Sequence, residues 1–380
     1  MDTRTMAGLT VSALGFGCMR FPLTDENEPK TIDFGKTEAM IDEAYRAGVN
    51  YFDTAYVYHG ERSEEVTGKI LAKYPRESFY VADKFPQWML KTEDDVARIF
   101  EEQLERLGME YIDFYLLHAL EAGALDRVRQ NRLYELMLRE KERGRIKRLG
   151  FSFHDKPDVL QTIVDEHDYD FAQIQLNYYD WTHQDAKRQL EILESKNIPV
   201  VVMEPVRGGF LAAPTEEGTK YIAERLPDTP PARLALRWAS QFESVKVVLS
   251  GMTAMEQVNE NIAAFSGMPP FTQKEREVCE SVVEIVKRTN VVPCTSCKYC
   301  LDDCPKKIDI PKFLGLYNFY SIFRDNWNTS VQYAAIPKDK HPSLCVKCGK
   351  CAAHCPQHIE IPKVLEEADA HIKKSALNMG

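Results

Sequence analysis

The sequence predicts an α/β protein, a (β/α)8 TIM barrel followed by a smaller, mainly helical domain. Three observations lead to this fold class. Short apolar runs alternate with helical patterns over about the first 250 residues. The strand pattern stops after Met268, and eight of the ten cysteines fall between residues 294 and 355. A chain of 380 residues is long enough for such a barrel and one further domain, and we place the division between residues 275 and 276.

The eight predicted strands are apolar runs bounded by turn signals, as expected for buried parallel strands. They span residues 14–19, 50–54, 79–84, 113–118, 148–153, 171–177, 199–205 and 246–250. Helical patterns lie between them, several ending at a glycine suited to a helix C-cap. A doubly wound sheet is the alternative. It calls for G-x-G-x-x-G after the first strand, and the nearest match, which begins Gly15-Phe-Gly17, lacks the third glycine.

Composition narrows the class of protein. Hydrophobic residues make up 44% and charged residues 28%, which is typical of a soluble globular enzyme. The formal net charge of −10 argues against a nucleic-acid partner, because phosphate backbones are bound through clustered Lys and Arg. No stretch approaches the roughly 18 apolar residues of a membrane span, and the start of the chain has no apolar signal region. We therefore expect a cytoplasmic protein with neither nucleic-acid nor membrane partners.

The crowded cysteines form the motif C-x-x-C-x-x-C-x-x-x-C-P twice, which is the spacing of two-cluster ferredoxins. In that spacing the first three thiolates bind one 4Fe-4S cluster, and the fourth, just before proline, ligates the other cluster. We assign one cluster to Cys294, Cys297, Cys300 and Cys355, and the other to Cys345, Cys348, Cys351 and Cys304. Zinc is the alternative, but zinc sites usually pair two C-x-x-C units. A disulfide scaffold would suit a small secreted protein.

The region between the two motifs is long, and residues 312–327 within it have helical apolar spacing. This part of the chain resembles the helical dicluster ferredoxin-like domains fused to redox enzymes, which implies electron transfer. Lysines crowd both motifs, and positive charge near a cluster favours its reduced, more negative state. They are Lys298, Lys306, Lys307, Lys347 and Lys350. We hypothesise that they also receive an acidic ferredoxin or flavodoxin.

Four polar side chains stand at or just after the carboxyl ends of predicted strands, where barrels of this kind hold their catalytic groups. They are Asp53, Tyr58, Lys84 and His118. Tyrosine can protonate a reacting carbonyl oxygen if its pKa, ordinarily about 10, is lowered by a neighbouring ammonium. We expect Lys84 to act in this way, Asp53 to hold the lysine charged, and His118 to orient the carbonyl by a hydrogen bond. Each group alone also has a structural explanation, such as a helix cap or a packed ring.

These motifs resemble the aldo/keto reductase family over roughly residues 8–265. The similarity lies in LGFGCMR near the start, Asp53-Thr-Ala-Tyr-Val-Tyr58, Lys84-Phe-Pro86, Leu116-Leu-His118 and Gly150-Phe-Ser152. The resemblance implies that Tyr58, Asp53, Lys84 and His118 form the family's proton-donor tetrad. It also implies that hydride passes from NAD(P)H to a carbonyl compound.

The resemblance implies nicotinamide contacts as well. Ser152 and Gln173 match the carboxamide contacts, and Glu260 and Asn261 match the adenine contacts. The sequence departs from the pattern at other positions. Phe153 replaces the usual Asn, and Met203, beside Glu204, replaces the tyrosine that stacks on nicotinamide. The basic residues expected at the 2′-phosphate fall at Gly251 and Gln257. Because phosphate recognition normally uses Arg or Lys, NADH, NADPH and no nicotinamide all stay open.

Three functions follow. The first is an oxidoreductase that reduces a carbonyl or related small organic substrate with this tetrad, with hydride from NAD(P)H and electron transfer through two 4Fe-4S clusters. The second is a reductase fed by its clusters, linked to ferredoxin or flavin, without nicotinamide. Clusters move single electrons and hydride carries two, a mismatch that flavin commonly bridges. Arg207-Gly208-Gly209 is either a loop for a flavin phosphate or a tight turn. The third is a non-catalytic electron-transfer subunit.

Overall fold

A computed structural model describes residues 1–25, 28–288, 292–323, 329 and 332–376. The described chain forms two compact units. The first contains Met1–Pro205 and Leu236–Phe271, and the second contains Val206–Ala235 and the chain from Thr272 onward. Among the helices that are described, none combines the length and the apolar character needed to cross a bilayer.

The first unit opens with a β-hairpin that the sequence pattern did not indicate. Strand β1 (Thr3–Met6) pairs antiparallel with strand β2 (Leu9–Ser12). Gly8 in the turn has φ +82, which glycine adopts without steric cost. The side chains of Met6 and Val11 are buried in a cluster with residues from the beginnings of barrel strands. The hairpin therefore covers the amino end of the barrel, which leaves the carboxyl end for a site.

Parallel strands then close into a barrel, eight of them within the described ranges. They are β3 (Leu14–Gly17), β4 (Tyr51–Asp53), β5 (Tyr80–Phe85), β6 (Ile112–Leu120), β7 (Ile146–Phe153), β8 (Phe171–Gln175), β9 (Val200–Met203) and β10 (Val245–Gly251). Each pairs with the next along the chain, and β10 pairs with β3. The predicted barrel is confirmed, and the strand ends differ from the predicted ones by at most two residues.

Helices connect the strands. They are α1 (Phe34–Arg46), α2 (Ser63–Leu71), α3 (Glu93–Leu107), α4 (Ala122–Gln130), α5 (Leu133–Glu142), α6 (Pro157–Glu166), α7 (Asp180–His183), α8 (Ala186–Ser195), α9 (Glu216–Arg225), α10 (Pro231–Ser240) and α11 (Met255–Ala264). Helix α3 shows why they form where they do. Thr92 and Asp95 make a capping box at its start, and Gly108 ends it with φ +65. One face of α3 is buried, as its apolar spacing predicts.

The second unit carries the cysteine motifs. Its described helices after the barrel include α12 (Gln273–Arg288), α13 (Ile310–Phe323), α14 (Lys350–Ala353) and α15 (Ile361–Ala376). Ile308, Phe313, Leu365 and Ile372 belong to a buried cluster that also contains cysteines of both motifs. The helix predicted from the apolar spacing of residues 312–327 is confirmed as far as Phe323, and the last four residues of that prediction lie outside the described residues.

Candidate active site and metal centres

The eight motif cysteines surround two cavities, each bordered by four thiols drawn from both motifs. The first cavity is lined by Cys294, Cys297, Cys300 and Cys355, and the second by Cys304, Cys345, Cys348 and Cys351. The empty volumes are similar, about 310 Å³ for the first and about 320 Å³ for the second. The structure thus brings together the two sets of four that the interleaved spacing indicates. The two cavities suit two bound groups of similar size, each held by four sulfur ligands.

The backbone around the two cavities repeats as the cysteines do. Left-handed residues recur at equivalent places: Ser296 and Lys347 (φ +55 and +54), Lys298 and Gly349 (φ +69 and +77), and Lys307 and His358 (φ +52 and +50). Such conformations turn successive N–H groups toward one side of the chain and make the concave anion sites that many iron–sulfur clusters occupy. The Ser296 N–H points at the Cys294 sulfur, 3.4 Å away. Both motifs therefore offer N–H donors as well as thiols.

The walls between and around the thiols are apolar. Ile310 lines both cavities, so a single side chain separates them at that point. Burial raises the pKa of the Cys351 thiol to about 11 and also raises the pKa values of Cys294 and Cys355. A buried thiol that keeps its proton becomes a thiolate when a metal takes the place of that proton. The donor set and its largely apolar surroundings suit a thiolate-bound cluster.

The four candidate catalytic residues meet at the carboxyl end of the barrel. Asp53 ends β4, Lys84 lies in β5 and His118 in β6, and all four side chains are buried. Lys84 Nζ donates to Asp53 Oδ1 at 2.6 Å and to the Thr54 carbonyl at 2.6 Å. The same ammonium lies 4.8 Å from the centre of the Tyr58 ring. The Tyr58 and His118 ring centres are 6.1 Å apart, with the planes at 81°.

The protonation of Tyr58 differs from the sequence expectation. Burial raises the pKa of its phenol well above 10, and the carboxyl groups of Asp53 and Glu204 raise it further. Burial is the main cause, and the ammonium of Lys84 is engaged in its 2.6 Å contact with Asp53, so its positive charge does not outweigh that effect at the phenol. Tyr58 is therefore held as the protonated acid, which is the form that donates a proton.

His118 is held neutral. Burial lowers its pKa well below 6.5, and the nearby charges of Lys84 and His154 lower it further. The ring of Trp88 lies against it with 5.0 Å between centres. A neutral imidazole can offer one hydrogen bond to a substrate oxygen without competing with Tyr58 as a charged acid.

A buried polar network behind Lys84 was not found from the sequence. The Gln103 amide donates to Asp83 Oδ2 at 2.8 Å and to the Lys84 carbonyl at 3.1 Å. It also donates to Glu64 Oε1 at 3.0 Å, and Arg106 pairs with the other oxygen of Glu64 at 3.0 Å. Burial and the carboxyl group of Glu64 raise the pKa of Asp83 well above its usual range. In the sequence, the adjacent charged residues Asp83 and Lys84 within an otherwise apolar strand indicate that such a network is needed.

Two of the six predicted cofactor contacts lie on neighbouring strands. Ser152 of β7 and Gln173 of β8 are direct partners in the sheet register, and both are buried. Ser152 Oγ accepts from the Ala119 N–H at 2.7 Å. Gln173 Nε2 lies 3.7 Å from the Met203 sulfur, while its buried Oε1 has no hydrogen-bond partner among the described residues. An unsatisfied buried amide oxygen is costly, so it is a place where a ligand N–H is expected.

The other predicted contacts lie at the end of β10 and in α11. Asn261 is buried and donates to Ser250 Oγ at 2.9 Å, whereas Glu260 is exposed. Gln257 accepts from the Thr253 N–H at 2.8 Å. Gly251 leaves room for a cation from another loop, because a Cβ there would lie 3.1 Å from Cγ and Cδ of Arg20. The side chain of an arginine from the segment after β3 therefore packs over Gly251.

Comparison with known proteins decides the family of the barrel. A model of the aldo/keto reductase family matches residues 13–284, more than half of the chain. The chain belongs to the aldo/keto reductase family. A 4Fe-4S dicluster domain follows the reductase domain and matches residues 293–360. The predicted fusion is therefore confirmed, and the protein is an oxidoreductase of this family.

Two curated relatives and one solved structure each match about three quarters of the chain. An L-galactose dehydrogenase from Arabidopsis thaliana is 28% identical, with 74% of this chain and 93% of that protein covered. An uncharacterised oxidoreductase from Bacillus subtilis is 26% identical, with 72% and 93% covered. The holo form of an aldo-keto reductase from Bacillus halodurans has a TM-score of 0.62 at 27% identity, covering 74% of this chain and 96% of that one. The matches support the reductase assignment.

A more distant aldo/keto reductase supports the fold alone. The enzyme from Klebsiella pneumoniae, solved in complex with NADPH, has a TM-score of 0.62 at 20% identity and covers 74% of this chain and 96% of that one. The likeness shows that the barrel keeps the family architecture at low identity.

Proposed function

We propose that this aldo/keto reductase reduces a carbonyl or related small organic compound with a Tyr58, Lys84, Asp53 and His118 tetrad. The observation that carries the proposal is the meeting of these four buried groups at the carboxyl end of the barrel, with the lysine 2.6 Å from the aspartate and 4.8 Å from the tyrosine ring. Bound NAD(P)H would supply the hydride, and two 4Fe-4S clusters would supply one-electron transfer.

The residues of the chain supply the proton and the orientation. Tyr58 donates its phenolic proton to the substrate oxygen as the carbonyl carbon accepts hydride, so the product is an alcohol. Lys84 stabilises the phenolate that remains, and Asp53 keeps the lysine charged in a buried place. His118 donates a hydrogen bond that fixes the carbonyl oxygen near the phenol. The raised pKa of Tyr58 supports this direction of transfer, since the acid form persists at neutral pH.

Nicotinamide binding is part of the proposal. The free Oε1 of Gln173 fits an amino hydrogen of the carboxamide, and Ser152 stands beside it in the register. Asn261 and Glu260 would contact the adenine end. The expected basic residues are absent at Gly251 and Gln257, and Arg20, packed over Gly251, would supply the positive charge for a nucleotide phosphate.

Replacing Arg20 with glutamine is expected to raise the KM for NADPH roughly 10- to 100-fold, because a charge-assisted hydrogen bond contributes about 1.5–3 kcal/mol. Steady-state kinetics with NADPH and NADH, in parallel, measure the effect. Arg62→Gln is the matched control, since that exposed arginine pairs with Glu65 on the surface. Equal KM values for wild type and Arg20→Gln with both nucleotides would remove Arg20 from cofactor binding.

The proposed cluster ligands are the four cysteines of each cavity, grouped as above. The wall at Ile310 common to both cavities supports electron transfer between the two groups. Exposed apolar side chains beside the second cavity, Leu344 and Val346, stand among the exposed Lys347 and Lys350. An apolar patch with a basic surround suits an acidic carrier such as ferredoxin or flavodoxin.

A second candidate is a reductase fed through its clusters without nicotinamide. It is favoured by the absence of basic residues at Gly251 and Gln257. Anoxic purification, followed by assays for iron, sulfide, flavin and bound nicotinamide, distinguishes the two. Carbonyl reduction is then measured with NADPH, NADH and reduced viologen in turn. Turnover with a nicotinamide supports the main proposal, whereas turnover with viologen and no nicotinamide binding supports the second.

A further inference from the structure

Arg207 is a buried guanidinium in the unit that carries the cysteines. It is 2% exposed, although arginine is almost never fully buried without partners. Its Nη2 donates to Gln357 Oε1 at 3.1 Å. Gln357 lies two residues after Cys355 and lines the first cavity. The charge is therefore held beside the first cavity by a residue of that cavity.

The neighbouring glycine fixes the loop of Arg207 against a second residue of the same cavity. A Cβ at Gly208 would lie 2.3 Å from the carbonyl oxygen of Thr295, and Gly208 has φ +65. Thr295 follows Cys294 and also lines the first cavity. Only glycine fits at such an approach, so Arg207 is tied to the peptide stretches after both Cys294 and Cys355.

The segment of Arg207 meets Gln357 and Thr295, which line the first cavity and do not line the second. The buried charge is therefore placed unequally with respect to the two groups of thiols. The exposed lysines do not distinguish the two cavities in this way, because one lysine lines each of them. Lys298 lines the first cavity and Lys306 lines the second. Solvent screens an exposed charge far more than a buried one.

We propose that Arg207 raises the reduction potential of the cluster held by Cys294, Cys297, Cys300 and Cys355 above that of its neighbour. This proposal rests on the two clusters of the proposed function. Reduction of a cluster by one electron adds one negative charge and neither forms nor breaks a bond. A buried guanidinium stabilises the added charge, so the electron resides mainly on the cluster of the first cavity. Arg207 thereby sets the direction of electron transfer between the two clusters.

The test is a redox titration of the full chain, purified without oxygen, with dithionite as reductant and the reduced clusters followed by electron paramagnetic resonance. In Arg207→Gln we expect the equilibrium constant for reducing one cluster to fall at least tenfold, which is 59 mV for one electron. The other cluster keeps its potential. Arg207→Lys retains the charge and is expected to stay near wild type. Lys287→Gln is the control for an exposed cation away from both cavities, since this lysine of α12 pairs with Glu284, and it should change little.

The variant Cys300→Ala assigns the shifted resonance signal to the cluster of the first cavity, because this substitution is expected to abolish that signal. If Arg207→Gln fails to assemble, Gln357→Glu places a carboxylate beside the retained arginine and is expected to lower the same potential. Unchanged potentials in Arg207→Gln or Gln357→Glu, or equal shifts of both clusters, overturn the proposal. Absence of iron from the wild-type protein would instead contradict the proposed clusters, so the two failures are distinguishable.

Discussion

Replacing Tyr58 with phenylalanine is expected to lower kcat for carbonyl reduction by about 100- to 10,000-fold, the range that a positioned general acid contributes. This loss corresponds to about 3–5 kcal/mol of transition-state stabilisation. Phenylalanine keeps the ring that lies against Lys84 and His118 and removes only the hydroxyl. We therefore expect the KM of the substrate to change much less than kcat. Steady-state kinetics with a saturating electron donor measure both constants.

The matched control for Tyr58→Phe is Tyr56→Phe, two residues earlier. The Tyr56 hydroxyl donates to Glu102 at 2.7 Å and lies outside the tetrad. The pH profile provides a second check. Because the pKa of Tyr58 is raised, its acid form persists as pH increases, and kcat/KM should show no decline from this group up to pH 10. A Tyr58→Phe enzyme with wild-type turnover for every donor would remove the tetrad from the mechanism.

The barrel could be predicted because its strands are buried on both faces and read as unbroken apolar runs. The hairpin of β1 and β2 was missed for the opposite reason. Its strands are four residues each and only partly buried, so their alternation of apolar and polar residues is too short to recognise. The compact unit to which residues 206–235 belong could not be predicted either. They follow β9 in the chain but belong to the compact unit of the cysteines, and the predicted division at residue 275 stays a prediction.

The candidate site was predicted where residue type and strand position coincide. Asp53, Lys84 and His118 could be placed because parallel strands bring their carboxyl ends to one side of a barrel. The protonation of Tyr58 could not be worked out, because it depends on burial and on Glu204, which is distant in the chain. Gln103 and Arg20 were missed for a similar reason. Their contacts with Lys84 and Gly251 join segments whose spacing in sequence carries no signal.

The repeat in the cysteine domain is longer than the cysteine spacing alone indicates. After each fourth cysteine the chain continues C-P-x-x-I-x-I-P, and Ile310 and Ile361 each begin a helix. Both isoleucines line cavities, and Ile310 lines both. The repeat thus supplies the apolar wall as well as the ligands. Apart from Gly349, the paired left-handed residues were not predictable, because Ser, Lys and His occupy positions where glycine would be the usual signal.

Replacing Cys355 with alanine is expected to remove the same cluster as Cys300→Ala, although the two residues belong to different motifs. The structure places both thiols at the first cavity. Iron content should fall from about eight atoms per chain to about four in either variant. Cys304→Ala and Cys351→Ala should remove the other cluster, since those thiols line the second cavity. Iron and sulfide analysis, together with the paramagnetic resonance spectrum of the cluster that remains, measures the outcome.

The spectrum of the remaining cluster distinguishes crossed from uncrossed ligands more sharply than iron content does. If each motif held its own cluster, Cys304→Ala would leave the same spectrum as Cys300→Ala, and Cys355→Ala the same as Cys351→Ala. The crossed ligands predict the opposite pairing. Cys279→Ala is the control, because this buried cysteine lies in α12 outside both motifs. Zinc without sulfide in the wild-type protein would contradict the clusters altogether. With ligands that cross in this way, neither motif would complete its cluster alone, and the two halves of the repeat would have to fold together.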